Sequence, residues 1–363
     1  MRFFTTLDRY LTGKYLSTFF FSVLICSMIS MAIDFSDKVR NFIEGPATLK
    51  NILLDYYPGF VLHMTGLLMP MYTLIAVVFF TSRLAFNSEI LSILNAGVSF
   101  NRLLQPYLLA GGLLTLLHLG MGHYLIPKAN QKRLWFERTY VWTDKQQVLS
   151  GNIHFMVAPD VKAFIRGYDN KARRISTLRL QEFDGSRVKS IMEADNVTWK
   201  EESKKWSFPS YTLRTFDGLK ESYRRFNTPT DTMINLAPQD FVFYHNQNEE
   251  MTSVELLEAV DRDRVRGFSN SRLYSIEYYR RTADAFTNII LTVIGLAVAG
   301  RKVRGGMGLH LAIAIGIGAI FILVQKFAIS FATSGSVPPL LGMWLPNIFF
   351  SLVALWLVMR AQK

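Results

Sequence analysis

The residues that most often do chemistry are scattered along this chain and build no catalytic centre. The six histidines, His63, His118, His123, His154, His245 and His310, include no pair with metal-ligand spacing on one helix face. No serine sits in a nucleophile elbow, and Cys26 is the single cysteine, so neither a disulfide nor a thiol pair is available. A phosphate loop of the G-x-x-x-x-G-K-[ST] type is absent too, Gly13-Lys14 lacking the rest of it. The chain is therefore expected to hydrolyse no ATP and to bind no metal or cofactor. Any energy coupling has to come from a partner or an ion gradient. What remains is a set of charges beside or inside apolar stretches: Lys38 and Arg40, Lys132, Arg133 and Arg138, Asp284, and Lys326. Lys326 lies within such a stretch, and an ionisable residue at membrane depth is a functional candidate by default. Asp284 reads as a capping or boundary charge.

Six uncharged apolar stretches must position these groups. They run from about Tyr15 to Ile33, Gly59 to Ser82, Leu103 to Ile126, Ala285 to Gly300, Met307 to Ser330 and Leu340 to Met359. A bilayer-spanning helix needs ~20 apolar residues, and six such runs with charges at their flanks do not suit a soluble core. Between the third and fourth lies a polar stretch of about the size of a domain of its own. The organisation expected is residues 1–126 with three spans, 127–270 as an inserted domain with a following helix, and 271–363 with three more spans. Half of the residues are hydrophobic while mean hydropathy is only +0.18, as a mixture of membrane and aqueous parts requires.

Lys and Arg in the short loops set the orientation. With the N-terminus inside, the cytoplasmic segments hold Arg2, Arg9, Lys14, Arg83, Arg102, Arg301, Lys302, Arg304, Arg360 and Lys363, against Lys38, Arg40 and Lys50 opposite. Ten against three puts both termini in the cytoplasm and the insert outside the inner face. Met31–Asp34 offers no small-x-small cleavage site, so the first span is read as retained. Ahead of it, Phe3, Leu7, Tyr10 and Leu11 share a helical face, which suits either an interfacial helix or a frayed start to the span. The formal charge is +12, but residues 127–283 hold 26 Lys and Arg against 21 Asp and Glu, so most of the surplus flanks the membrane. That argues against nucleic acid and for anionic lipid.

From about Gly151 to Tyr244 the pattern alternates with period two: Val161, Ala163 and Ile165; Leu178 and Leu180; Val197 and Trp199; Trp206 and Phe208; Tyr211 and Leu213. Turns at Gly167–Asn170, Asp184-Gly185-Ser186 and Asp217-Gly218 separate them, which predicts an antiparallel sandwich or roll. Ser253–Arg266 reads as a helix with Ser253 as N-cap, and Ser271–Asp284 as an amphipathic lead into the fourth span.

The loop after span two, Asn87-Ser-Glu89-Ile-Leu-Ser-Ile-Leu-Asn95-Ala-Gly97-Val-Ser-Phe100, resembles an element of the LptF/LptG permeases of the lipopolysaccharide exporter. Leu7-Asp8-Arg9-Tyr10-Leu11 and the Val337–Pro346 segment resemble the LptG branch, and Glu277-Tyr-Tyr-Arg280-Arg281 is similar as well. The likeness covers the whole chain. It implies a six-helix membrane bundle with a periplasmic β-jellyroll, in the bacterial inner membrane. It also implies a homologous permease partner, two cytoplasmic ATPase subunits that bind the ATP and Mg, and stacked periplasmic jellyroll proteins that receive lipopolysaccharide drawn from the outer leaflet.

Under that resemblance Ser88–Phe100 is a coupling helix, with Ser88, Glu89, Leu91, Leu94 and Gly97 as its functional positions. Ile90, Leu91, Ile93 and Leu94 would pack on the membrane body, Glu89 would meet the ATPase, and Gly97 would stop the helix. The plain alternative is an ordinary interfacial loop helix. Lys38, Arg40, Lys132, Arg133 and Lys326 would contact lipopolysaccharide phosphates through charge-assisted bonds. Alternatively the first four meet headgroups or solvent, and Lys326 snorkels to the interface. Ala314-x-x-x-Gly318 would bring span five close to another helix, inside the subunit or on the partner. Phe60, Leu67 and Leu68 either line an acyl-chain cavity or face lipid and neighbouring helices. Two functions of other classes stand beside the ATP-driven permease. One is an ion-gradient-driven lipid transporter using Asp284 and Lys326; the other is a membrane-anchored envelope assembly scaffold.

Overall fold

The computed structural model describes residues 5–141, 147–148, 152–158, 160–185, 187–218, 220–234, 236–238, 242–243, 247–266, 270–301 and 305–361. Arg2, Phe3, Ser186, Tyr244, His245, Lys302, Arg304 and Lys363 lie outside the described residues. The chain divides into two compact units. One comprises residues 1–142, 248–256 and 272–363, and the other residues 143–247 and 257–271. The helical unit thus continues past Ile126 to residue 142.

Among the described residues, the helical unit holds six helices long and apolar enough to cross a membrane. They are α1 (Thr6–Glu44), α2 (Leu49–Phe86), α4 (Phe100–Val141), α6 (Asn270–Ala299), α7 (Gly306–Ser334) and α8 (Pro339–Ala361), with the short α3 (Glu89–Asn95) between the second and third. Each of the first four outruns its apolar stretch, because backbone hydrogen bonding does not stop where side-chain polarity begins. Polar residues of α1, α2 and α4 then meet in one cluster, and polar residues of α2, α4 and α6 line a cleft. Thr5 starts α1 with a capping box: its hydroxyl accepts from the Asp8 amide while the Asp8 carboxylate accepts from the Thr5 amide. Three wide, π-type turns interrupt the regular ladder, at Ile52–Tyr56 in α2 and at Met121–Leu125 and Glu137–Val141 in α4. Such turns re-aim side chains and recur at functional places.

The apolar core of this unit gathers Leu11, Tyr15 and Phe19 of α1, Met69 to Leu84 of α2, Leu103, Tyr107 and Leu114 of α4, and Leu291, Ile294 and Leu296 of α6. Ala314 and Gly318 of α7 are both buried, and a Cβ at Gly318 would run into Met71 and meet Leu74 of α2. The small-residue stripe therefore serves a close approach within the subunit. A second, aromatic cluster of Phe42, Tyr56, Tyr57, Phe60 and Phe136 closes the far ends of α1, α2 and α4.

The second unit is strand-rich. β2 (Asn152–Ala158), β3 (Val161–Asp169), β4 (Arg174–Asp184), β5 (Arg187–Lys200), β6 (Lys205–Phe208), β7 (Tyr211–Asp217), β8 (Lys220–Phe226) and β9 (Thr230–Thr232) form one antiparallel sheet. β1 (Gln147–Val148) and β10 (Val242–Phe243) pair separately. The 14-residue β5 takes β6 at its C-terminal end and β7 along its middle, so the sheet branches and curls there. Irregularities at Met156/Ala158 and Glu182/Phe183 add to the bend. Ala163, Ile165, Leu178, Val197, Trp206 and Phe208, all on the expected alternating face, fill the interior. Trp206 is fully buried and donates its indole N–H to the Leu236 carbonyl at 2.9 Å. The helix α5 (Ser253–Arg266) follows, and its cap is Thr252 rather than Ser253: the Thr252 amide donates to Glu255 at 2.7 Å and its hydroxyl accepts from the Glu255 amide.

Candidate functional site

Three polar places in the helical unit carry the charges that the sequence singles out. The first is the turn of α3. Ser88 enters it at φ +63° and Gly97 leaves it at φ +86°, both left-handed, so the helix is set between two sharp corners. Ile90 is buried, and Ile93 and Leu94 pack partly against the main core. Leu91 departs from the expected inward set and is exposed. Glu89 is half-buried, accepting from the Tyr10 hydroxyl at 3.3 Å and from the Asn87 amide at 3.3 Å. Just beyond α3, Ser99 caps α4, and Arg102 donates from both terminal nitrogens to the two Asp8 oxygens at 2.6 Å each.

The second place lies at the opposite ends of α1, α2 and α4. Lys38 donates to Asp34 at 2.7 Å and to Glu137 at 2.8 Å, and also to the Tyr56 hydroxyl. That hydroxyl donates in turn to Asp34 at 2.8 Å. Arg133 donates to Asn130 at 2.6 Å and to Glu137 at 3.2 Å. Tyr56 and Glu137 each sit on a wide turn, which aims both inward at the same point. Sequence spacing alone does not find this cluster, since Asp34, Tyr56 and Glu137 come from three separate helices. Their only sequence signal is polarity just past an apolar stretch. Arg40 stands apart: it is exposed and, among the described residues, pairs with Glu44 one turn on. Lys132 is exposed, with no ion pair among the described residues.

The third place is a small cleft lined by His63 and Leu67 of α2, His118 of α4, Glu249, and Glu277, Arg280 and Asp284 of α6, with other residues. Glu277 holds both Arg280, at 2.7 Å, and Arg281, at 3.0 Å. Asp284 is no boundary charge: it lies midway along α6, accepts from Gln325 of α7 at 2.5 Å and stands 3.9 Å from Arg280. The returning segment 248–253 is strapped to this wall. Asn130 and Gln131 donate to the carbonyls of Glu249 and Glu250, Arg281 donates to that of Asn248, Arg138 pairs with the Glu250 carboxylate, and His123 bonds Ser253 at 2.6 Å. Burial and the nearby Glu277 push the Glu249 carboxyl above its ordinary value. Lys326, one residue from Gln325, is exposed, with no ion pair among the described residues. Phe60 lies in the aromatic cluster, Leu67 faces the cleft half-exposed, and Leu68 packs partly on the main core.

No group of three His, Cys, Asp or Glu that could hold a metal occurs among the described residues. Two sets of three long apolar helices, a strand-rich domain inserted between them, and charges spent on helix-to-helix ties define a multi-pass membrane protein. Residues 9–360 match the family described as lipopolysaccharide export system permease LptF/LptG, and the chain belongs to that family. No curated protein matches the chain.

Proposed function

We propose that the chain is the transmembrane subunit of an ATP-driven exporter that takes lipopolysaccharide from the outer leaflet of a bacterial inner membrane and hands it to a periplasmic bridge of β-jellyroll proteins. The observation that carries this reading is the family match across residues 9–360, supported by six long apolar helices with a strand-rich insert between the third and fourth. Two subunits of this kind, the second a homologous permease, would enclose the lipid between them. The Leu7–Leu11 and Val337–Pro346 segments favour the LptG position for this one. Both termini and α3 lie in the cytoplasm on this reading, as the excess of Lys and Arg in that set of loops requires. The chain catalyses nothing itself. ATP and Mg belong to two ATPase subunits that dock on α3, with Ser88, Glu89, Leu91, Leu94 and Gly97 as the coupling positions. The exposed side chain of Leu91 suits insertion into a partner's groove.

On the lipid side, Arg40, Lys132 and Lys326 present exposed cations for phosphate. Lys38 and Arg133 are bonded to Glu137, and reach substrate only by exchanging that carboxylate for a phosphate. Purification of the chain with its natural partners tests the coupling. Glu89→Arg is expected to abolish recovery of the ATPase pair. Transport that persists without an ATPase and is driven by a proton gradient would sink the reading and restore the ion-coupled alternative.

A further inference from the structure

Asp8 satisfies the start of α1 on its own. Its carboxylate accepts from the Thr5 amide and hydroxyl at 2.9 and 2.8 Å, which completes a capping box without help from another helix. Yet Arg102 of α4 is locked onto it by two parallel bonds of 2.6 Å, and reaches the Thr5 hydroxyl at 3.1 Å as well. Asp8 is buried although it sits in the first turn of a helix that is otherwise open on most of its surface. Two-pronged Arg–carboxylate pairing fixes orientation as well as distance, which a single lysine contact would not do. One turn further on, the Thr12 hydroxyl donates to the Pro106 carbonyl at 3.2 Å. α1 and α4 are therefore pinned side by side, in parallel, at Asp8–Arg102 and Thr12–Pro106.

The position of this pin matters. Arg102 is in the first turn of α4, and only Ala96–Ser99 separates that helix from α3, with Gly97 making the corner at φ +86°. At the other end of α3, Glu89 holds the Tyr10 hydroxyl of α1. The start of α1 is thus bonded to both flanks of the short helix. α1 is also the least enclosed of the six spans, with 11% of its most apolar window buried, against 67% for α2. A displacement of α3 has a direct path, through Asp8–Arg102 and Tyr10–Glu89, to the span that is least enclosed within the subunit.

We propose that the Asp8–Arg102 pair is the tie through which movement of α3 is delivered to α1, acting as a positioning element for transport rather than as a binding group. This rests on the reading of α3 as the ATPase dock. The test uses the whole complex, with its ATPase pair and a jellyroll acceptor, in phospholipid vesicles containing lipopolysaccharide. The readout is lipid released per ATP hydrolysed. Asp8→Asn and Arg102→Gln are each expected to keep the ATPase bound and hydrolysing while lowering that ratio about tenfold, within the range typical of coupling between sites. The charge exchange, Asp8→Arg with Arg102→Asp, is expected to raise the ratio back towards the parent. A ratio that stays at the parent value in the single variants overturns the proposal. So does a loss in the singles that tracks a fallen melting midpoint and does not recover in the exchange, since that is a folding effect. Glu89→Arg separates the two layers. If the ATPase survives that change, the docking reading fails; if the ATPase is lost there but the Asp8 variants keep their ratio, only the tie fails.

Discussion

Removing the Glu137 carboxylate should loosen the outer ends of α1, α2 and α4 together. Glu137 is 1% exposed and is the shared partner of Lys38, at 2.8 Å, and Arg133, at 3.2 Å. At an effective dielectric of about 20, a pair of unit charges at such a distance attracts by about 6 kcal/mol before desolvation is subtracted. Deleting one member of a buried pair typically costs ~3–5 kcal/mol, because the other member is left uncompensated. Here Lys38 keeps Asp34 and Arg133 keeps Asn130, so the expected cost of Glu137→Ala is lower, about 2–3 kcal/mol. Denaturation of the chain in lipid nanodiscs measures the loss. Lys38→Ala and the double variant complete a cycle whose coupling should exceed ~1 kcal/mol. A coupling near zero would refute the reasoning, since it would mean that Lys38 and Glu137 act independently and that Lys38 is free for another partner. Crosslinking to lipopolysaccharide gives the functional arm: positions 40, 132 and 326 should crosslink in the parent, and position 38 more strongly once Glu137 is gone.

The strand-rich unit and the strap yield two further outcomes. Trp206→Ala empties a fully buried site and orphans the Leu236 carbonyl, so it should cost about 3–5 kcal/mol in denaturant unfolding of the full chain. The Glu249 carboxyl is raised in the folded chain, so the folded state holds that proton more tightly than the unfolded one, and stability from this group falls as pH rises from the ordinary carboxylate value to the raised one. Glu249→Gln should flatten that part of the melting-midpoint profile; an unchanged difference between variant and parent across the window would show that the cleft does not bias this group.

The spans, their order and the inward face of the sheet were legible in the sequence because each rests on local periodicity. Ala163, Ile165, Leu178, Val197, Trp206 and Phe208 alternate in the chain as they do in the core. The helix over Ser253–Arg266 was legible to its ends, though Thr252 outcompetes Ser253 for the cap because Glu255 stands three residues after it. Polar groups at the helix ends were not legible. Lys38 and Arg133 look like free flanking cations until α1, α2 and α4 are laid together, and Asp284 looks like a boundary charge until the helix before it is seen to run unbroken from Asn270. Period and hydropathy show which faces are buried, but not which buried charges meet. That pairing depends on contacts about 100 residues apart, such as Lys38 with Glu137.

Those long-range pairs share a geometry that helps to explain why so many charges are held at the edges of the bundle. α1 and α4 are bonded at one end by Asp8 with Arg102 and at the other by Lys38 with Glu137 and by Asn41, which donates to the Val141 carbonyl. Between them lie the Thr12–Pro106 hydrogen bond and apolar and aromatic packing, Tyr15 against Tyr107 with ring centres 6.0 Å apart. Interdigitated side chains hold the two helices in register, and the forked Asp8–Arg102 pair also fixes their orientation at one end. α1 and α4 are thus bonded to each other at both ends and packed against each other between. α4 begins at the corner after α3 and ends beside the point where the chain leaves the helical unit. On the proposed reading of α3 as the ATPase dock, a push there would reach α1 and α4 together. Of the cations first considered for substrate, Lys38 and Arg133 are held by Glu137 at one end of this pairing, whereas Arg40, Lys132 and Lys326 stand exposed outside it.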